Sequence, residues 1–191
     1  MESRADQIFD DATASHDMAD EQALQLMELL FFAYRDFVAE PDAMLADLGF
    51  GRAHHRILHF VGRHPGLRVS ELLSILRITK QSLNRVLREL LERGYVRQRE
   101  GDTDRRQRLL HLTAKGQRLL EELEAPQIAR VRAALASAGP QARATFANML
   151  FALVDEAEHA RVARLCGLPE PPPQAGEPAN AGRHAARADR R

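Results

Sequence analysis

Two short apolar-periodic segments lie so close together in this chain that a helix-turn-helix is the natural way to fold both. In "SELLSILR", Leu72, Leu73 and Leu76 make a small helical face that Ser70 is placed to cap. In "TKQSLNRVLRELLERG", Thr79 is placed to cap, and Leu83, Val86, Leu87, Leu90 and Leu91 recur at i, i+3, i+4, i+7 and i+8. Gly94 suits the position just past the end. Only about "IT" separates the two, and helices joined by so short a turn must cross steeply.

With the apolar stripe of the second helix turned inward, Gln81, Arg85, Arg88 and Glu92 point away from it, and Asn84 and Ser82 lie on the flanks. Gln, Asn and Arg can read base edges by paired hydrogen bonds, Arg, Ser and Lys80 can hold phosphates, and a helix fits the major groove of DNA. The free N–H groups at the helix start add a further site for a phosphate. An ordinary amphipathic surface helix more often alternates acids and bases at i, i+4, whereas here no acid precedes Glu89. DNA binding is therefore favoured over a merely solvated face.

The stretch that follows predicts a hairpin. "YVRQRE" and "QRLLHLT" interleave apolar and charged residues as short strands do, with Gly101 to Arg106 as their loop. Arg105 and Arg106 are candidates for the flanking backbone or minor groove, where arginine meets a strong negative potential. Asp102 and Asp104 would oppose that, unless one of them pairs with an arginine and shapes the loop. On the residues alone, a self-neutralised tip stays open.

Four further segments frame this middle. Residues 21–39 carry a helical stripe of Leu24, Met27, Phe31, Tyr34 and Val38, widened by Leu26, Leu30 and Phe37, which predicts a helix buried on two sides that Pro41 breaks. Arg52 to His64 has His54, Ile57, Leu58 and Val61 at helical spacing and stops at "HPG". Thr113 is placed to cap a long helix through Leu119, Leu120 and Leu123, which Pro126 should end or kink. A last helix over 141–165 carries Phe146, Met149, Leu150, Leu153 and Ala157. Residues 1–20 read as an acidic, flexible arm, and 169–191, rich in Pro, Ala, Gly and Arg, as a disordered tail.

The formal net charge of zero hides a division along the chain. Residues 1–50 hold two arginines against twelve acids, 51–118 sixteen Lys and Arg against six acids, and 119–191 nine of each. A strongly basic middle suggests a polyanion partner, although an internally complemented surface has the same arithmetic. No run approaches the roughly 18 apolar residues of a membrane span, and the acidic start is unlike a signal peptide, so a cytoplasmic location with no membrane partner is expected.

The stretch 67–120 resembles the winged helix-turn-helix core of the MarR family of transcriptional regulators. The resemblance rests on a helix opening "ITK", the exit "LLERGYV", the wing "DTDRR" and "LTAKG" leading into a long helix. The preceding "GFGRAHHRILHFVGRHPG" is similar to the PetP-like branch of that family, and with flanking helices the likeness covers about 21–165. It implies a mainly α fold with a β-hairpin wing, and a homodimer joined through the helices at 21–39 and 141–165. Two winged helices would then read successive major grooves of a pseudo-palindromic double-stranded operator. The residues it places on DNA are Lys80, Gln81, Ser82, Asn84, Arg85 and Arg88 on the recognition helix and Arg105 and Arg106 on the wing. A small-molecule or redox effector would be in keeping with the family, and repression is favoured over activation. The alternative is a basic winged-helix adaptor or architectural protein that reads no sequence.

Other chemistry finds little purchase. His55 and His59 share a helix face, but His54 lies on the apolar stripe and no carboxylate or cysteine accompanies them nearby, so no metal and no cofactor is expected. Cys166, the single cysteine, excludes an internal disulfide and, at the end of the last helix, is read as a spectator thiol rather than a sensor. No nucleophile elbow, P-loop or dinucleotide-binding motif is present, so no enzymatic activity is expected.

Overall fold

The computed structural model describes residues 20–101 and 107–169. The acidic arm up to residue 19, the tail from 170 and the wing tip 102–106 lie outside the described residues, and with them the expectations of a flexible arm and a disordered tail. The chain forms two compact units, one ending at Thr145 and one beginning at Phe146.

In the first unit the order is α1 (Asp20–Asp47), α2 (Arg52–Arg63), β1 (Leu67–Arg68), α3 (Val69–Leu76), α4 (Lys80–Glu92), β2 (Val96–Glu100), β3 (Arg108–Leu112) and α5 (Ala114–Ser137), followed by the start of α6 (Ala142–Ala152). The strands form an antiparallel sheet in the order β1-β3-β2, with Leu110 of β3 opposite both Leu67 and Gln98. The expected two-stranded hairpin thus has a third strand, β1. At two residues it is too short to leave a period in the sequence.

One core fills this unit. Ile57, Leu58 and Val61 of α2, Leu72 and Leu76 of α3, and Leu83, Val86, Leu87 and Leu90 of α4 pack with Leu110 of β3 and with Leu119, Leu120 and Leu123 of α5. Burial of side chains like these contributes roughly 1.5–3 kcal/mol each against the entropy of ordering the chain.

The helix-turn-helix closes through Arg77, Ile78 and Thr79, with Arg77 left-handed at φ 49° and ψ 42°. Thr79 caps α4 as expected, its Oγ1 accepting the Ser82 N–H at 3.2 Å. Ser70 does not cap α3. The cap position is Arg68, whose N–H donates to the Glu71 carboxylate at 2.8 Å, because a glutamate three residues on reaches back to the chain better than a serine inside the first turn.

The segments "RGYV" and "LTAKG" lock onto each other. Thr113 accepts the Gly116 N–H at 3.0 Å and donates its hydroxyl to the Gly94 carbonyl at 2.7 Å, while its own N–H donates to Tyr95 O at 3.0 Å. Lys115 donates to Arg93 O at 3.0 Å and lies over the Tyr95 ring, 4.2 Å from its centroid. Gly116 is required here, because a Cβ on it would stand 2.0 Å from the Tyr95 carbonyl oxygen.

Both prolines expected to break helices lie inside them. Pro41 leaves the Phe37 carbonyl without its i+4 donor, and Gln127 of α5 supplies one, Nε2 donating at 3.1 Å. Arg130 pairs with Glu40 beside it at 3.2 Å. Pro126 likewise frees the Glu122 carbonyl, and Glu122 is an exposed residue. Tertiary contact overrides the local rule in the first case, and solvent is at hand in the second.

The second unit holds the rest of α6, a 3-10 turn at Glu156–Glu158 and α7 (His159–Cys166). The single helix expected over 141–165 is broken, because His159 Nε2 takes the Val154 carbonyl at 2.8 Å and the Glu158 N–H bonds Asp155 O at 2.8 Å instead. The His159 ring also lies against Phe151, centroids 4.5 Å apart.

Candidate nucleic-acid interface

α4 divides cleanly by face. Leu83, Val86, Leu87 and Leu90 are buried, and Lys80, Gln81, Ser82, Asn84, Arg85 and Arg88 are all exposed on the same helix. No acid occupies its first turn. Ser82 is tied back to the cap, its Oγ accepting the Thr79 hydroxyl at 2.9 Å. This turn therefore offers backbone N–H groups, a lysine and a glutamine that an anion can use, and the next turns expose an amide and two guanidinium groups, the group types that can hydrogen-bond base edges.

The acid-free stretch ends at Glu89, whose position is set from within. His54 Nε2 lies 2.9 Å from Glu89 Oε2, and Arg85 Nη1 donates to Oε1 at 3.2 Å. The hydrogen bond from His54, with Arg85 adding to it, holds the Glu89 carboxyl below its ordinary range. His54, on the apolar stripe of α2, is therefore a buried residue with a polar partner.

The wing strands add a basic face. Alternation along β2 places Arg97 and Arg99 on one side, opposite His111 and Leu109, and both arginines are exposed. Half-burial, and then the charges of Arg99 and Arg97, push the His111 pKa down. At the strand ends Arg108 pairs with Glu100 at 2.8 Å, and Gly101 N–H bonds Gln107 O at 3.1 Å. Arg105 and Arg106 lie outside the described residues. Sequence inspection singled out the tip and passed over Arg97 and Arg99, although the period of two in "YVRQRE" carries them.

His59 Nδ1 lies 2.7 Å from Glu124 Oε1 across α2 and α5, a carboxylate distant in sequence. Burial, with the neighbouring His59, lowers the His55 pKa. Among the described residues no three His, Cys, Asp or Glu side chains gather as a metal-binding group, and no helix is long and apolar enough to cross a membrane. Cys166 is exposed at the end of α7.

Residues 48–107, from the end of α1 into the wing, match the family model for the MarR family. The HTH-type transcriptional regulator PetP of Rhodobacter capsulatus is 52% identical over 140 residues, which is 73% of this chain and 84% of that relative. The chain belongs to the MarR family. Its relatives there are transcriptional regulators and not enzymes, in keeping with the lack of a catalytic motif. Two solved structures share the fold. FabT of Streptococcus pneumoniae in complex with DNA has a TM-score of 0.60 at 19% identity, over 69% of this chain and 94% of that one. The transcriptional regulator SlyA has a TM-score of 0.54 at 15% identity, over 65% and 88%. For a MarR-family chain, α3 and α4 are the helix-turn-helix and β2 and β3 the wing.

Proposed function

We propose that this MarR-family regulator acts in the cytoplasm as a homodimer that reads double-stranded DNA with α4 in the major groove. The division of α4 carries the proposal: its apolar side chains are consumed by the core, and its free face is Lys80, Gln81, Ser82, Asn84, Arg85 and Arg88. Gln81, Asn84, Arg85 and Arg88 read base edges, and Lys80, Ser82 and the helix start hold phosphates. Arg97 and Arg99, with Arg105 and Arg106 of the tip, meet the flanking backbone or minor groove.

Support for the dimer comes from α1. Leu24, Met27, Leu30, Phe31 and Tyr34 are exposed on the single chain, Phe31 by 66%, although the helix is one of its longest. So extensive an apolar face on a soluble regulator calls for a second copy. In the second unit Met149, Leu150 and Leu153 are exposed in the same way.

Selection of bound duplexes from a random pool, followed over a salt series, tests the proposal. Enrichment of a pseudo-palindrome with half-sites about one helical turn apart is expected. Salt-labile retention with no enriched sequence would contradict it and favour a basic adaptor or architectural protein.

A further inference from the structure

Glu89 is an acid on the helix assigned to DNA, and its surroundings give it a task there. His54 holds one of its oxygens from the core side. The imidazole is buried, stacked on Phe50 with centroids 4.3 Å apart and planes 15° apart, and its Nδ1 accepts the Gly51 N–H at 3.1 Å. With Nδ1 an acceptor, the ring proton sits on Nε2 and points at Glu89 Oε2. Phe50 is fixed in turn by the Arg93 guanidinium, 4.1 Å from its centroid, and Arg93 donates to Leu48 O at 2.7 Å. The carboxylate therefore has one oxygen anchored on a rigid group and the other turned to Arg85.

A glutamine at this position would serve His54 equally well through its carbonyl oxygen. It would then turn its NH2 group, a donor, toward the guanidinium. What the carboxylate adds is a fixed acceptor for Arg85. That contact does little for the fold, since an exposed i, i+4 ion pair contributes little to stability. It does restrict a long side chain that otherwise samples many rotamers, and with one Nη1 hydrogen engaged the remaining N–H groups stay available for the O6 and N7 of a guanine.

We propose that Glu89, anchored by His54, is a positioning residue that holds the Arg85 guanidinium in the orientation for one base pair of the operator. The proposal rests on the assignment of α4 as the DNA-reading helix. Removal of a negative charge beside DNA should not weaken general attraction to the duplex, whereas loss of a fixed guanidinium should cost selectivity.

The test uses the full chain, the duplex enriched from the random pool, variants of that duplex with one base pair changed at a time, and an unrelated duplex. Four proteins are compared: the natural chain, Glu89→Gln, Arg85→Ala and the double variant, each with thermal unfolding recorded. Glu89→Gln should lower discrimination roughly five- to tenfold at the base pair whose preference Arg85→Ala abolishes. Affinity for the unrelated duplex should stay level or rise. In the Arg85→Ala background the second change should alter discrimination less than about twofold. Glu89→Asp, which keeps the charge but draws it back by one methylene, serves the same comparison if the glutamine variant does not fold. Unchanged discrimination, or an equal loss with and without Arg85, would overturn the role of Glu89. If the natural chain enriches no sequence, the reading of DNA by α4 fails first and this inference falls with it.

Discussion

α1 and α4 are both amphipathic, yet the chain treats them in opposite ways. α4 buries Leu83, Val86, Leu87 and Leu90 and shows solvent only polar side chains along its free face, whereas α1 buries Val38, Pro41 and Leu45 and leaves Leu24, Met27, Leu30 and Phe31 in the open. The first is finished within one chain. The second is half finished: its C-terminal part packs on α5, where Gln127 and Arg130 meet it, and among the described residues the apolar side chains of its N-terminal part stay exposed. Apolar periodicity tells which face of a helix avoids water, and only the third dimension tells whether the same chain supplies the cover.

The contrast is broken most forcefully at Phe31. If a second copy covers α1, Phe31→Asp removes a ring at both symmetric positions, which costs about 3–6 kcal/mol of association. Sedimentation equilibrium should then show the dimer weakened by roughly a hundredfold or more, and unchanged association would place the interface elsewhere. On the finished side, Gly116→Ala forces a methyl against the Tyr95 carbonyl and should lower unfolding stability by about 2–3 kcal/mol.

Within α1 itself, Gln127→Ala leaves the Phe37 carbonyl without a donor and should cost about 1 kcal/mol in denaturant unfolding. In a Pro41→Ala background the new N–H at position 41 serves that carbonyl, and the same substitution should cost much less. Equal costs in the two backgrounds would show that Gln127 acts otherwise.

The smallest effect is on pH dependence. Burial is the chief cause that lowers the pKa values of His55, His64 and His111 from the ordinary 6.5, with neighbouring positive charge adding to it. The unfolded chain therefore binds more protons than the folded one as pH falls through 6.5, and stability drops between pH 7 and 5. All three lie in α2, β3 or the link after α2, so acid loosens the winged helix rather than the exposed face of α1. His111→Gln should make the Tm fall less over that range, and an unchanged fall would contradict the assigned shift.

Much of the module was legible because its signals are local. Thr79 and Thr113 cap helices as their positions predict, Gly94 takes φ +72° just past α4, and of the stripe of α4 Leu83, Val86, Leu87 and Leu90 are buried, with Leu91 half-buried beside them. What escaped depends on side-chain contacts that no apolar period records, two of them with partners far away in sequence. Pro41 is tolerated because Gln127 lies across from it, His54 finds Glu89 thirty-five residues on, and the last helix breaks where His159 folds back on Val154. The exposed residues of α4 were legible from the wheel alone, while the link from His54 through Glu89 to Arg85 needed the packing of α2 on α4.

The central claim, that the free face of α4 reads base pairs, is tested most directly by the combined variant Gln81→Ala, Asn84→Ala and Arg88→Ala on the duplex enriched by the natural chain. These side chains are all exposed, so the Tm should move by no more than about 2 °C. Preference for the enriched duplex over an unrelated one should collapse. Preference retained at its original strength, with the fold intact, would contradict the account.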